Sequence, residues 1–264
     1  MDDLLLVVDI GNTNTVLGIY RDGNLIIHWR LSTSITRTED ESWIVVKMLC
    51  ESAAIPAEHI TGVIISSVVP NATRIFQRMI ENYLYFRPVV VSADLDLGIK
   101  IDYEDPRAVG ADRLCNAVAG FEKYGGPLII VDFGTATTFD VVSEQGDYLG
   151  GVIAPGIETS AADLWRRAAR LFRVELKFPD QILGKNTETS MQAGIMFGTV
   201  EMVDGLVRRL RDSLKYEKCR VIATGGLANT IVEKSQTIDK VDPYLTLDGL
   251  RIIYERLRKL ENEK

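Results

Sequence analysis

Two short stretches of this 264-residue chain hold residue types suited to phosphate. In Asp132-Phe133-Gly134-Thr135-Ala136-Thr137-Thr138 an acidic residue closes the apolar run Leu128 to Val131, and the chain turns apolar again from Phe139 to Val142. That order predicts a buried strand, a tight Gly/Thr turn and a returning strand. Gly134 lets backbone approach an anion, and threonine hydroxyls with exposed N–H groups suit phosphate oxygens. Asp132, fixed at a strand end, suits a cation that accompanies the phosphate. Taken alone, the heptad also fits an ordinary hairpin with a polar turn.

The pattern occurs twice. Leu4 to Val8 runs into Asp9-Ile10-Gly11-Asn12-Thr13-Asn14-Thr15-Val16 in the same order: apolar strand, Asp, apolar residue, Gly, polar turn, Thr. The sequels match as well, with Arg21-Asp22-Gly23-Asn24 before Leu25 in one copy and Ser143-Glu144-Gln145-Gly146-Asp147 before Tyr148 in the other. Each copy predicts a three-strand meander with an Asp at the end of its first strand. Two such turns facing each other across a cleft would offer two sets of N–H donors and two carboxylates to one polyphosphate, an ATP site between related domains.

A third candidate is Gly110-Ala111-Asp112-Arg113, where a glycine turn precedes a helical pattern carrying Leu114, Val118 and Phe121 on one face. Two readings of Asp112 stand. It complements the positive end of the helix dipole, or it faces the cleft and accepts a proton while Arg113 and neighbouring N–H groups hold an anionic substrate. Weaker signals are the loop Gly150 to Gly156, the stretch Gly184 to Ser190, and the junction Thr224-Gly225-Gly226, where a strand enters a helix.

The elements that must position these residues follow from periodicity. Helices are expected over about Asp40–Ala53, Ala72–Tyr83, Glu158–Phe172 and Asp248–Leu260, with a long one from about Thr187 to Lys215. Thr38-Glu39-Asp40-Glu41 reads as the first helix start, and Thr187 or Asn186 as an N-cap. Buried strands are expected at Gly62–Val69, Pro88–Val91 and Arg220 onward. Met191, Ile195, Met202 and Val203 form an apolar surface, either core or dimer contact. Gly125-Gly126-Pro127 punctuates the passage between domains.

Composition narrows the function. With 46% hydrophobic and 25% charged residues the chain has the make-up of a folded globular protein. A net charge of −7 argues against a nucleic-acid partner. Three dispersed cysteines without CxxC spacing give neither a disulfide framework nor a zinc site and suit a reducing compartment. Leu4 to Val8 is too short to span a membrane, so a cytoplasmic location without a membrane partner is expected.

Together these motifs resemble the acetate and sugar kinase, Hsp70 and actin superfamily. Within it, Asp9 to Thr13, Gly110 to Arg113, Asp132 to Thr138, Lys185-Asn186-Thr187 and Thr224-Gly225-Gly226 resemble the type III pantothenate kinase family over essentially the whole chain. The resemblance implies an α/β fold of two ribonuclease-H-like domains, residues 1–115 and 116–264, with mixed sheets flanked by helices and an ATP cleft between them. The last helix is free to pack back on the first domain. It implies phosphorylation of pantothenate to 4′-phosphopantothenate by ATP, the first step toward coenzyme A, without feedback by coenzyme A, in a homodimer. Asp9, Ile10, Gly11, Asn12, Thr13, Asn14, Thr15 and Val16 would form the phosphate loop, with Thr135 also contacting ATP. Tyr103, Gly110, Ala111, Asp112, Arg113 and Thr187 would bind pantothenate, with Asp112 the general base. Asp132 would ligate a monovalent cation, K+ or NH4+, and Mg2+ would bridge phosphate oxygens near Asp9. One departure is Phe172, where the family pattern leads one to expect proline.

Overall fold

The computed structural model describes residues 3–216 and 218–263. By compactness the chain divides into two units, 1–119 with 245–264, and 120–244. The first opens with β1 (Leu4–Ile10), β2 (Asn14–Arg21) and β3 (Asn24–Ser32), followed by α1 (Glu39–Ser52), β4 (Ile60–Ser67), α2 (Pro70–Tyr83) and β5 (Val89–Val90). Helix α3 (Ala111–Tyr124) carries the chain into the second unit. There β6 (Leu128–Phe133), β7 (Ala136–Val142) and β8 (Tyr148–Pro155) precede α4 (Ile157–Arg167), α5 (Thr187–Leu214), β9 (Arg220–Gly225), α6 (Ala228–Val232) and β10 (Lys240–Val241). Helix α7 (Leu245–Asn262) belongs to the first unit again.

Each unit holds one mixed five-stranded sheet, ordered β3-β2-β1-β4-β5 and β8-β7-β6-β9-β10. The two orders are the same when strands are counted within each unit. In both, the first three strands pair antiparallel and the fourth and fifth add in parallel. The central strands β1 and β6 are covered on both faces, which is why their sequences are nearly continuous apolar runs. Leu4, Leu6, Val8 and Ile10 point into a core with Val46 of α1 and Phe76, Met79 and Ile80 of α2. Ile129, Val131 and Phe133 do the same against Met196, Val200, Val203 and Val207 of α5 and Ile231 of α6. Each such side chain, fully buried, stabilises the fold by roughly 1.5–3 kcal/mol. The second face of the first sheet is covered by α7, which packs on β1 and β4.

Local chemistry sets the helix starts. Thr38 caps α1 through the Glu41 N–H at 3.2 Å while Glu41 accepts the Thr38 N–H at 2.8 Å, a reciprocal box. At α5 the cap is Asn186, paired with Thr189, and Thr187 is the first helical residue. Pro70 occupies the first turn of α2, where a missing N–H costs nothing. Val203 is buried in the second core with Ile195 and Met202 packed against it, and Met191 is buried as well.

Helix α4 ends at Arg167 rather than running to Phe172. Beyond Arg167 the side chains find little to bury: Phe172 is half exposed, and Ala168 leaves helical geometry at φ −102, ψ 108. The second-unit sheet gains β10, a two-residue strand too short to leave a pattern in the sequence.

Candidate active site

The first candidate turn joins β1 to β2. Gly11 donates its N–H to the Asn14 carbonyl at 2.9 Å, which leaves Asn12 and Thr13 exposed between the bonded pair. The carbonyls beneath are already engaged. Ile10 accepts from the Val68 N–H at 3.1 Å, Gly11 from the Thr33 hydroxyl at 2.7 Å, and Thr13 from the Thr33 N–H at 2.9 Å. Thr15, buried, shares a hydroxyl contact of 3.0 Å with Thr33. Because these acceptors are used internally, what the tip offers an incoming anion is donor chemistry. Asp9 is half-buried at the strand end, Ile10 is fully buried, and Val16 sits opposite Asp9 on β2.

Helix α3 brings the second acidic residue into the same unit. Asp112 lies in its first turn, with Oδ1 accepting the Arg113 N–H at 2.8 Å. Gly110 makes this fold-back possible, since a Cβ there would stand 2.5 Å from Asp112 Oδ1. Ala111 and Arg113 are buried, and Asp112 is half-buried. One turn further along, the Cys115 thiol is completely enclosed. Burial pushes it well above the usual thiol range, and the negative charges of Asp9 and Asp112 push it further. Both carboxylates therefore act on one buried point, although no sequence spacing connects them.

The second candidate turn joins β6 to β7 and is shorter by one residue. Gly134 donates to the Ala136 carbonyl at 3.1 Å, so Thr135 alone stands between the bonded pair, and it is exposed. Its carbonyl accepts from the Gly156 N–H at 3.1 Å and the Thr159 hydroxyl at 2.7 Å, both at the start of α4. A Cβ on Gly156 would lie 2.3 Å from the Gly134 carbonyl oxygen, so the helix can approach only through glycine. Asp132 is half-buried beside Gly225. At Gly225 a φ of +93 favours glycine, and a Cβ would stand 2.6 Å from Asp132 Oδ1. The glycine-rich junctions at Gly156 and Gly225 thus support the second turn from either side.

The remaining candidates are dispersed. Tyr103 is 40% exposed on the connection between β5 and α3. That connection is pinned by Arg107 on Asp94 and by Arg256 of α7 on Asp96, with nitrogen to oxygen distances of 3.0 and 2.9 Å. Thr187 is exposed at the start of α5. Sequence reasoning missed Ser66, which lies in register with Asp9 on β4, and singled out Thr224 only as part of a glycine junction, without its register with Asp132 on β9. The signal that could have found them is a hydroxyl residue closing each of two further apolar strands.

Cation chemistry can be tested on the donors. Among the described residues no three His, Cys, Asp or Glu side chains converge on one point. A divalent ion at Asp9 would then take one carboxylate from the protein and its other ligands from water and phosphate, which is the usual manner of Mg2+ with nucleotides. Asp9 fits that role, with a buried Ser66 hydroxyl beside it. For a monovalent ion, Asp132 supplies a hard oxygen at a strand end.

Comparison with known proteins gives the family. The family model for type III pantothenate kinase matches residues 5–209. A type III pantothenate kinase of Bacillus cytotoxicus is 50% identical over 261 residues, covering 99% of each chain. Among solved structures, a Campylobacter jejuni protein described as a putative Baf family transcriptional activator superposes with a TM-score of 0.59 at 18% identity, covering 96% of this chain and 99% of its own. The ROK hexokinase of Thermus thermophilus does so with a TM-score of 0.55 at 13% identity, covering 97% and 99%. At those identities the structural likenesses speak for the fold alone. With a family model over most of its length and half its residues shared with a relative of equal extent, the chain belongs to the type III pantothenate kinase family.

Proposed function

We propose that Asp112 is the general base of the reaction that this family performs, the ATP-dependent phosphorylation of pantothenate to 4′-phosphopantothenate. The chain is an enzyme of that reaction. The observation that carries the assignment to Asp112 is its placement: the first turn of α3 sets its carboxylate and that of Asp9 around the same buried thiol. One carboxylate stands at a donor-rich turn suited to phosphate, the other at a helix start suited to a hydroxylated acid.

Phosphoryl transfer leaves the protein little covalent chemistry, so positioning and charge neutralisation dominate. In this reading the tip from Gly11 to Asn14 holds phosphate oxygens through N–H groups, and Thr135 contacts the nucleotide from the second turn. Mg2+, when bound near Asp9, supplies charge neutralisation across the phosphate oxygens. Gly110, Ala111, Arg113, Tyr103 and Thr187 hold pantothenate. Asp112 orients the primary hydroxyl and takes its proton as the new P–O bond forms. Asp132 holds the monovalent cation, K+ or NH4+.

The same reading makes the enzyme a cytoplasmic homodimer. Leu164, Trp165, Phe172, Ile182 and Leu183 are large apolar side chains exposed on the second unit, and a second copy would cover such a surface. All three cysteines are free and buried, in keeping with a reducing compartment.

The decisive variant is Asp112→Asn. Turnover should fall by about 10²- to 10⁴-fold while the dissociation constant for nucleotide stays the same. Equal loss of nucleotide binding, measured by titration calorimetry, would remove Asp112 from the base role.

A further inference from the structure

Ser66 is fully buried on β4, and its hydroxyl meets no partner with hydrogen-bond geometry among the described residues. The Cys115 thiol stands within its reach, but a thiol is a weak hydrogen-bonding partner. A buried hydroxyl left in this state is costly and calls for a reason.

Register supplies one. Ser66 pairs with Asp9 across parallel strands, so the two side chains leave the sheet on the same face, on strands about 4.8 Å apart. The second unit repeats the arrangement, with Thr224 in register beside Asp132. Thr224 is buried as well. In both sheets, then, a hydroxyl on the fourth strand stands next to the carboxylate that ends the first strand. For core packing alone, alanine would avoid the unpaired hydroxyl at Ser66.

We infer that Ser66 is a positioning residue for the phosphate turn: when nucleotide binds, its hydroxyl rotates to donate to the Asp9 carboxylate and fixes that side chain toward the phosphates. The step asks for a change of χ1 rotamer rather than of backbone. The inference rests on the reading of the Asp9 turn as the nucleotide phosphate loop.

Three variants test it, each measured for thermal midpoint without ligand, for Mg-ADP binding by calorimetry and for the KM of pantothenate. Ser66→Ala should keep or raise the midpoint, because it removes an unpaired buried group, yet weaken Mg-ADP binding about tenfold with the pantothenate KM unchanged. Ser66→Thr, which copies the residue used beside Asp132, should restore nucleotide binding. Asp9→Asn controls for the underlying reading and should weaken Mg-ADP binding more than Ser66→Ala does. Unchanged nucleotide binding in Ser66→Ala, while Asp9→Asn binds poorly, would overturn the role of Ser66 alone. Unchanged binding in Asp9→Asn would overturn the phosphate-loop reading and the role of Ser66 with it.

Discussion

Asp9 and Asp132 are the same position in two copies of one sheet. Each is the penultimate residue of a central strand, each is followed by a glycine turn, and each has a buried hydroxyl residue in parallel register on the next strand. The surroundings differ where the turns differ. The turn after Asp9 has two residues between its bonded pair, whereas the turn after Asp132 has one, with α4 starting directly against it. The longer, donor-rich tip suits a polyphosphate, whereas the tighter one presents Thr135 alone, with the Asp132 carboxylate beside Gly225.

The first expectation concerns cations. Replacing Asp132 by Asn keeps the volume and removes the charge, so turnover should lose its preference for potassium over sodium and fall by about 10- to 100-fold in potassium buffer. Steady-state rates in the two buffers decide it. A potassium preference that survives the substitution would place the monovalent site elsewhere.

A second expectation separates crowding from backbone strain. Gly225 and Gly125 both have positive φ, +93 and +70. A methyl on Gly225 would lie 2.6 Å from Asp132 Oδ1 and from the Phe133 nitrogen, whereas at Gly125 nothing lies within 4 Å. Gly125→Ala should therefore cost only the left-handed penalty, roughly 1–2 kcal/mol. Gly225→Ala should cost more and should also reduce turnover by displacing Asp132. Urea melts and initial rates of the two variants, compared side by side, check both parts.

How far the chain could be read beforehand depends on the range of each interaction. The meanders were legible because β1 to β3 and β6 to β8 join neighbours in sequence through short turns. The helix start at Thr38-Glu39-Asp40-Glu41 was legible for the same reason, though not the reciprocal bonds that make it a capping box. The end of α4 was not, because Leu171 and Phe172 continue an apolar pattern although the fold leaves Phe172 half exposed. Asp112 was visible as a candidate, but that its charge and that of Asp9 both reach Cys115 depends on tertiary packing that no local spacing reveals. Ser66 was invisible as a site residue, since only the β1–β4 register places it beside Asp9.

Acid stability supplies a further test, at Asp204 of α5. Burial would raise its pKa, but hydroxyl donors Ser235 and Thr237, each at 2.6 Å, and the backbone N–H groups of Gln236 and Thr237 outweigh burial and leave it lowered. A carboxylate with a lowered folded-state pKa stabilises fully above its unfolded value near 4, and that contribution is lost as the pH falls through the folded value. Asp204→Asn should thus cost about 1–3 kcal/mol at pH 7, and the gap to the parent protein should shrink below about pH 4. Chemical melts at a series of pH values would show it; a gap that widens toward acid contradicts the sign.

The return of α7 to the first unit has a consequence for synthesis. Leu247 packs against Gly18 of β2, Gly249 sits against the Cys115 backbone, and Tyr254 lies over Gly62 of β4. On a ribosome, the part of that face that α7 covers stays open until residues 245–262 have emerged, after the whole second unit has been made. The half of the protein that is translated first is therefore completed last, with the α7-facing part of its central strands open to chaperones or to other nascent chains in the meantime.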